Sequence, residues 1–253
     1  MELRAFSDWL ARLLVPEKFK DYCPNGLCAE ASGRVTKVMT GVSFRETLVD
    51  RAVEEGADTL IVHHPHGFWN GDDKLPVGAY ARKLGKLMKH GISLYGFHLP
   101  LDGHPEIGNN AQIARLLGVR VTGGFMKEGE NFVGCLGEFE KTLSPQEFLT
   151  HVSKTLPECN PQPFFNGTQE IKRIAICSGG GSSGIPEAIN LGADVYFTGE
   201  IKEYTPILLE EERFNLIAGG HHRTEIFGVR ALAEKIEKEL GIPARFENID
   251  NPV

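Results

Sequence analysis

The stretch Leu60-Ile61-Val62-His63-His64-Pro65-His66-Gly67-Phe68 runs an apolar segment straight into three closely spaced histidines. A short apolar run that follows the turn residues Gly56-Ala57-Asp58 reads as a buried strand, so the histidines fall where strand gives way to loop. Imidazole is the commonest neutral metal ligand, and adjacent histidines at a strand end can diverge toward two ions. A solvated, histidine-rich loop is the plainer alternative on these residues alone.

Working outward, the stretch belongs to a duplication. Val38-Met39-Thr40-Gly41 followed by Gly56-Ala57-Asp58-Thr59-Leu60 recurs as Ile174-Ala175-Ile176-Cys177 followed by Gly192-Ala193-Asp194-Val195-Tyr196, at a constant offset of 136 residues. Where the first copy carries His63-His64, the second carries Gly199-Glu200. Further on the offset falls to 123, because the first copy holds a longer loop over residues 68–77. Gly96, His98, Asp102 and Gly118 then align with Gly219, His221, Glu225 and Gly241. A histidine followed four residues later by a carboxylate thus occurs in both copies, which chance rarely does in register.

The periodicity supports an α/β assignment. Helices are expected over residues 3–15, 45–55, 80–90, 110–117, 144–156, 185–191, 204–213 and 229–240, and strands over 35–42, 59–62, 92–97, 171–178, 195–198, 214–218 and 245–249. Residues 22–27 read as a turn, 119–142 as a bridge with a strand-like segment at 132–137, and 157–163 as a proline-rich loop. Ser144-Pro145-Gln146-Glu147 has the pattern of a capping box. The expected fold is two intimately packed, duplicated α/β halves, residues 1–124 and 125–253, with mainly parallel sheets flanked by helices. Candidate site residues lie at strand carboxyl ends, where such sheets bind ligands, and converge on a cleft between the halves.

Composition narrows the class. Hydrophobic residues at 41% and charged residues at 24% suit a soluble globular protein with a sizeable core. A net charge of −7 argues against a general nucleic-acid binder, although Lys83, Lys86 and Lys89 form a local basic strip. No apolar run is long enough to span a membrane, and the N-terminus opens an amphipathic helix, so a cytoplasmic location is expected. The five cysteines lack zinc-knuckle spacing and read as reduced, mostly buried thiols.

The donor set permits a dinuclear centre: His63, His64 and His221 can supply nitrogen, and Asp102 or Glu225 can bridge or bind terminally. By repeat symmetry alone His98 joins them. Mixed nitrogen and oxygen ligation suits two divalent Zn, Fe, Mn, Co or Ni ions rather than Ca. Water on such an ion has its pKa drawn toward about 7, which makes hydrolysis the natural reaction class. Rival features are weaker. The Gly179–Gly184 loop lacks a P-loop ending and reads equally as a phosphate cradle or a plain turn. Ser178 and Ser182 lack a nucleophile elbow. His66 and His222 fit second-layer or substrate-facing places, His90, His104 and His151 fit surface or helix-end places, and Asp58 and Asp194 fit loop caps.

Several motifs together resemble a known family: Tyr22-x-Pro24-Asn25-Gly26-Leu27, Val62-His63-His64, Tyr95-Gly96-Phe97-His98-Leu99-Pro100-Leu101-Asp102, Gly108-Asn109-Asn110, Thr198-Gly199-Glu200, Gly220-His221-His222-x-Thr224-Glu225 and Asn251-Pro252-Val253. They are similar to the YbgI-like, Ngg-interacting-factor family, whose members are often labelled GTP cyclohydrolase I type 2 homologues. The resemblance implies a two-domain α/β protein assembled as a toroidal homohexamer, with two divalent metal ions per subunit held by His63, His64, Asp102, His221 and Glu225. It moves His98 to a second-layer or substrate-facing place, and it makes Glu200 a candidate acid or base. It further implies a metal-dependent hydrolase in which metal-bound hydroxide attacks a nucleotide or related small molecule. The alternative is a ring-shaped metal-binding scaffold or regulator of DNA or protein partners. The bridge over residues 119–132 is too short for the extra domain some relatives carry.

Overall fold

The computed structural model describes residues 1–72 and 75–253, so part of the expected loop at 68–77 lies outside the described residues. The chain divides into two compact units, Met1–Leu101 with Gly228–Ile249, and Asp102–Phe227 with Asp250–Val253. In chain order the first segment supplies α1 (Leu3–Leu14), β1 (Gly26–Ala29), β2 (Val38–Ser43), α2 (Glu46–Glu54), β3 (Thr59–His64), α3 (Gly78–His90), β4 (Ser93–Gly96) and α4 (Leu99–Asp102). The second segment supplies α5 (Asn109–Leu116), β5 (Arg120–Glu128), β6 (Asn131–Leu143), α6 (Pro145–Thr155), β7 (Gln162–Phe165), β8 (Ile171–Cys177), α7 (Ile185–Asn190), β9 (Val195–Thr198), α8 (Thr205–Glu211), β10 (Asn215–Ala218) and α9 (His221–Thr224). Then α10 (Ile226–Leu240) leads to β11 (Ala244–Phe246), which pairs with β2 and so returns to the first unit. The chain changes unit inside α4, near the start of α10 and once more after Ile249.

In the first unit the sheet order is β1-β4-β3-β2-β11, parallel except at the β1–β4 edge. Every residue of β3 is buried, as a continuous apolar run in a parallel sheet covered on both faces requires. The helix α2 buries Leu48, Val49 and Ala52 against Met39, Leu60, Val62 and Leu94, and each buried Leu or Val contributes roughly 1.5–3 kcal/mol. After α3, Gly91 takes a left-handed φ of 65°, which glycine reaches without a Cβ clash. The expected turn over 22–27 ends in strand β1, a short edge strand with no alternating pattern to betray it.

In the second unit the order is β5-β6-β8-β9-β10-β7, and only the β8–β9 and β9–β10 pairs are parallel. The expectation of a mainly parallel sheet is corrected here. The bridge over 119–142 is a long antiparallel hairpin whose exposed edge strand β5 carries Gly123-Gly124 and charged residues rather than an apolar stripe. Likewise β7 holds Pro163, which an edge strand tolerates because one row of its amides need not pair. Helix α6 starts on the Ser144–Glu147 capping box read from the sequence.

The two units share internal register. Val38 pairs with Thr59 in the β2–β3 ladder and Ile174 with Val195 in the β8–β9 ladder, the same 136-residue offset that links the sequences. Asp58 accepts backbone hydrogen bonds from Thr36 and Lys37, and Asp194 accepts them from Lys172 and Arg173. Both aspartates are loop caps. Past the third strand the register departs from the sequence alignment. Val62 lies opposite Gly96 and Thr198 opposite Ala218, so the second unit has one more residue between strand and histidine, and Gly220 there takes a φ of 92°.

Candidate metal centre

In the first unit β3 delivers His63 and His64 at its carboxyl end, and the segment after β4 delivers His98 beside them. One nitrogen from each of the three lies within 4.8 Å of the others, and all three side chains are buried. The Nδ1–H of His63 donates to the Phe97 carbonyl at 2.9 Å, which fixes the tautomer and leaves the lone pair on Nε2, the arrangement that suits a metal ligand. The Nδ1 of His98 lies 2.9 Å from the Asp21 carboxylate. That carboxylate also accepts from the Leu99 amide and the Asn25 side chain, while the His98 amide donates to Asn25. Burial pushes the Asp21 carboxyl up, but the hydrogen bond and charge of His98 outweigh it and hold the group below its ordinary range. Neither Asp21 nor Asn25 stands out from sequence as a site residue; the motif Tyr22-x-Pro24-Asn25-Gly26-Leu27 marks the place without the role.

In the second unit Asp102, at the end of α4, accepts from Asn109 Nδ2 at 2.8 Å and Ser178 Oγ at 3.1 Å. Ser178 is thus a positioning group, and its own backbone N–H donates to Asn110 Oδ1 at 2.7 Å. An oxygen of Asp102 and one of Glu225 lie within 4.8 Å of each other, and both residues are buried. His221 stands between Glu225, 3.3 Å from its Nε2, and Glu200, 3.1 Å from its Nδ1. Burial works against its charge, yet the two carboxylates raise its pKa to about 9. A divalent cation would take the place of that proton.

The glycines of the loop over 179–184 serve close packing. A Cβ on Gly179, where φ is 61°, would lie 2.1 Å from Glu225 Oε1, and one on Gly199 would lie 2.5 Å from the Gly179 carbonyl oxygen. A cleft of about 300 Å³ opens beside Glu200 and His221, lined also by Asn160, Gln162 and Arg223. Four further histidines have other partners. His66 accepts from the Trp69 indole, His104 accepts from the Glu106 and Ile107 amides, and His151 pairs with the Leu117 carbonyl, while the buried His222 donates its amide to Val253.

The donors fit a divalent ion in type: imidazole nitrogens in one unit, and carboxylates with one imidazole in the other. Ligand atoms on a tetrahedral ion with bonds near 2.0–2.1 Å stand ~3.3 Å apart, and His221 Nε2 and Glu225 Oε1 lie 3.3 Å apart. All five cysteines are free, and burial raises the Cys28, Cys135 and Cys159 thiols to about 12, which keeps them protonated at neutral pH. Among the described residues no helix is long and apolar enough to cross a membrane.

The family model for Duf34/NIF3 (NGG1p interacting factor 3) matches residues 1–252. A Pseudomonas aeruginosa protein named GTP cyclohydrolase 1 type 2 homolog is 40% identical over 242 residues, spanning 95% of this chain and 94% of its own. An Escherichia coli K12 protein of the same name is 40% identical over 235 residues, 92% of each chain. A solved structure described as protein ybgI, of unknown function, superposes with a TM-score of 0.93 at 36% identity over 100% of both chains. TTHA1606 from Thermus thermophilus gives 0.87 at 33% identity, over 100% of this chain and 99% of that one. A family match over residues 1–252, with relatives 40% identical across more than nine-tenths of the chain, means that the chain belongs to the Duf34/NIF3 family.

Proposed function

We propose that the two donor sets serve one dinuclear centre, with His63 and His64 contributed by the first unit and Asp102, His221 and Glu225 by the second. The observation that carries this reading is the pair of buried carboxylates, Asp102 and Glu225, within 4.8 Å of each other. Like charges that close in a desolvated place are unfavourable unless a proton or a cation lies between them. Two divalent Zn, Fe, Mn, Co or Ni ions would supply Lewis acidity and an activated water, hence hydrolysis of a nucleotide or related small molecule. The protein's own groups do the rest. Asn109 and Ser178 hold Asp102 in one orientation, and Asp21 keeps a proton on His98 Nδ1. Glu200, about a third exposed at the cleft and hydrogen-bonded to His221, is placed to accept or return a proton from substrate.

The curated relatives' name, GTP cyclohydrolase 1 type 2 homolog, makes GTP the first substrate to try. The assembly we propose is a toroidal homohexamer in the cytoplasm, with sites facing its inner cavity. Two measurements test the reading together: elemental analysis of the purified protein, and turnover of GTP and other nucleotides by the metal-loaded protein and by Glu225→Ala. Two ions per chain with turnover lost in Glu225→Ala supports the enzyme. Equal turnover in both proteins sinks it, and full metal loading without turnover of any nucleotide points to the scaffold or regulatory role instead.

A further inference from the structure

Large aromatic side chains on a surface loop contribute little to a core, so one held rigidly in the open calls for an explanation. Tyr22 is 56% exposed, yet it lies one residue from Asp21, whose carboxylate anchors His98. Its ring meets Trp69 at 5.2 Å between centroids with planes inclined by 32°, and meets His98 edge-on at 5.1 Å. Trp69 in turn packs edge-on against His98 at 5.2 Å and lies tilted against His64 at 5.7 Å. The two loops that carry these rings are fastened together. The Asn70 amide donates to the Tyr22 carbonyl at 2.8 Å, the Asp72 carboxylate accepts from the amides of Gly67 and Trp69, and the Trp69 indole donates to His66. Gly67 adopts a φ of 102°, and a Cβ there would strike the Tyr80 ring at 2.6 Å, so the loop path is fixed.

We propose that Tyr22 and Trp69 form an aromatic shelf beside the three histidines that takes the planar nitrogen heterocycle of a free nucleotide by stacking. Electron-rich phenol and indole faces favour an electron-poor heterocycle over a saturated ring, and the imidazole of the exposed His66 lies at the shelf's rim. Bases in single strands present the same face, but a net charge of −7 disfavours a polyanion and points to the free nucleotide. This assignment rests on the proposed function for where the substrate lies; the shelf itself is described wholly within the first unit.

The chain has two tryptophans, so Trp9→Phe leaves Trp69 as the sole indole reporter. Trp69 fluorescence of metal-loaded Trp9→Phe protein is titrated with GMP, with ribose 5-phosphate, which lacks the base, and with a short single-stranded oligonucleotide. The expected result is saturable quenching by GMP and none by ribose 5-phosphate. Adding Tyr22→Ala should weaken GMP binding roughly tenfold or more, within the span of single base–aromatic stacks, and Tyr22→Phe should restore it. Tyr22→Leu, which keeps apolar bulk without a flat face, should behave like Tyr22→Ala and covers the case in which alanine fails to fold. Equal quenching by ribose 5-phosphate, or an unchanged GMP midpoint in Tyr22→Leu, overturns the shelf. Tighter binding of the oligonucleotide overturns the free-nucleotide assignment. Metal content measured on the same samples separates this test from the previous one: a loaded protein that ignores GMP loses the shelf and keeps the centre.

Discussion

At the carboxyl end of β3 the chain places His63-His64, and at the matching end of β9 it places Gly199-Glu200, on ladders that share one register. The frame is the same and the chemistry is opposite. The first unit gathers imidazole nitrogens and fixes them through carbonyl and aspartate contacts, whereas the second gathers carboxylates around one imidazole. The difference teaches that a repeated α/β frame dictates where donors emerge but not which donors they are. It also sets up the strongest way to break the comparison. If both sets feed one centre, His63→Ala and Glu225→Ala should each abolish most metal loading while circular dichroism stays native, although they alter different units. Elemental analysis showing one variant fully loaded would mean that the two sets do not work together.

A smaller effect concerns the glycines that only the second unit needs. Gly179→Ala puts a Cβ against Glu225 Oε1 at a positive φ, so we expect a loss of roughly 2–4 kcal/mol in denaturant unfolding from overpacking and backbone strain combined. Gly118→Ala, where φ is 68° but a Cβ meets nothing within 4 Å, should cost only the strain, about 1 kcal/mol. Equal losses at the two positions would show that backbone conformation alone, not the approach to Glu225, explains Gly179. The capping aspartates give a matched pair of lower magnitude. Asp58→Ala removes bonds from the Thr36 and Lys37 amides and the Thr36 and Thr59 hydroxyls, and Asp194→Ala removes bonds from two amides. Both should cost about 1–2 kcal/mol, with Asp58 the larger.

Much of this was legible in the residues themselves. The glycine-aspartate turns and apolar runs marked β2, α2, β3, β8 and β9 because those parallel strands are buried on both faces and read as continuous hydrophobic segments. The edge strands β1, β5 and β7 were missed for the same physical reason in reverse: a half-exposed edge carries glycine, proline and charge, and its pairing is decided by the neighbouring strand. The donor residues were visible as types and spacings, but the groups that orient them were not. Asp21 sits 77 positions from His98, and Ser178 sits 76 from Asp102, so no local pattern links them. The one-residue slip before His221 was hidden as well, since glycine occupies both Gly219 and Gly220 and the alignment could close on either.

The smallest expected effect is the pH response of the Asp21–His98 pair, which has no counterpart in the second unit, where His221 leans on glutamates instead. Because the folded protein holds the Asp21 carboxyl below its unfolded value near 3.8, the group contributes stability that is present above that value and is lost as pH falls through the lower, folded value. Asp21→Asn should therefore be less stable than wild type at pH 6–7, by about 1 kcal/mol given the accompanying loss of charge on the hydrogen bonds. The gap should narrow as the pH drops below ~4. A gap that stays constant down to pH 3 would mean that Asp21 acts through shape alone. The same variant sharpens the functional contrast, since asparagine can still accept from the Leu99 amide but holds no charge opposite His98. Metal content should be unchanged in Asp21→Asn, as elemental analysis would show.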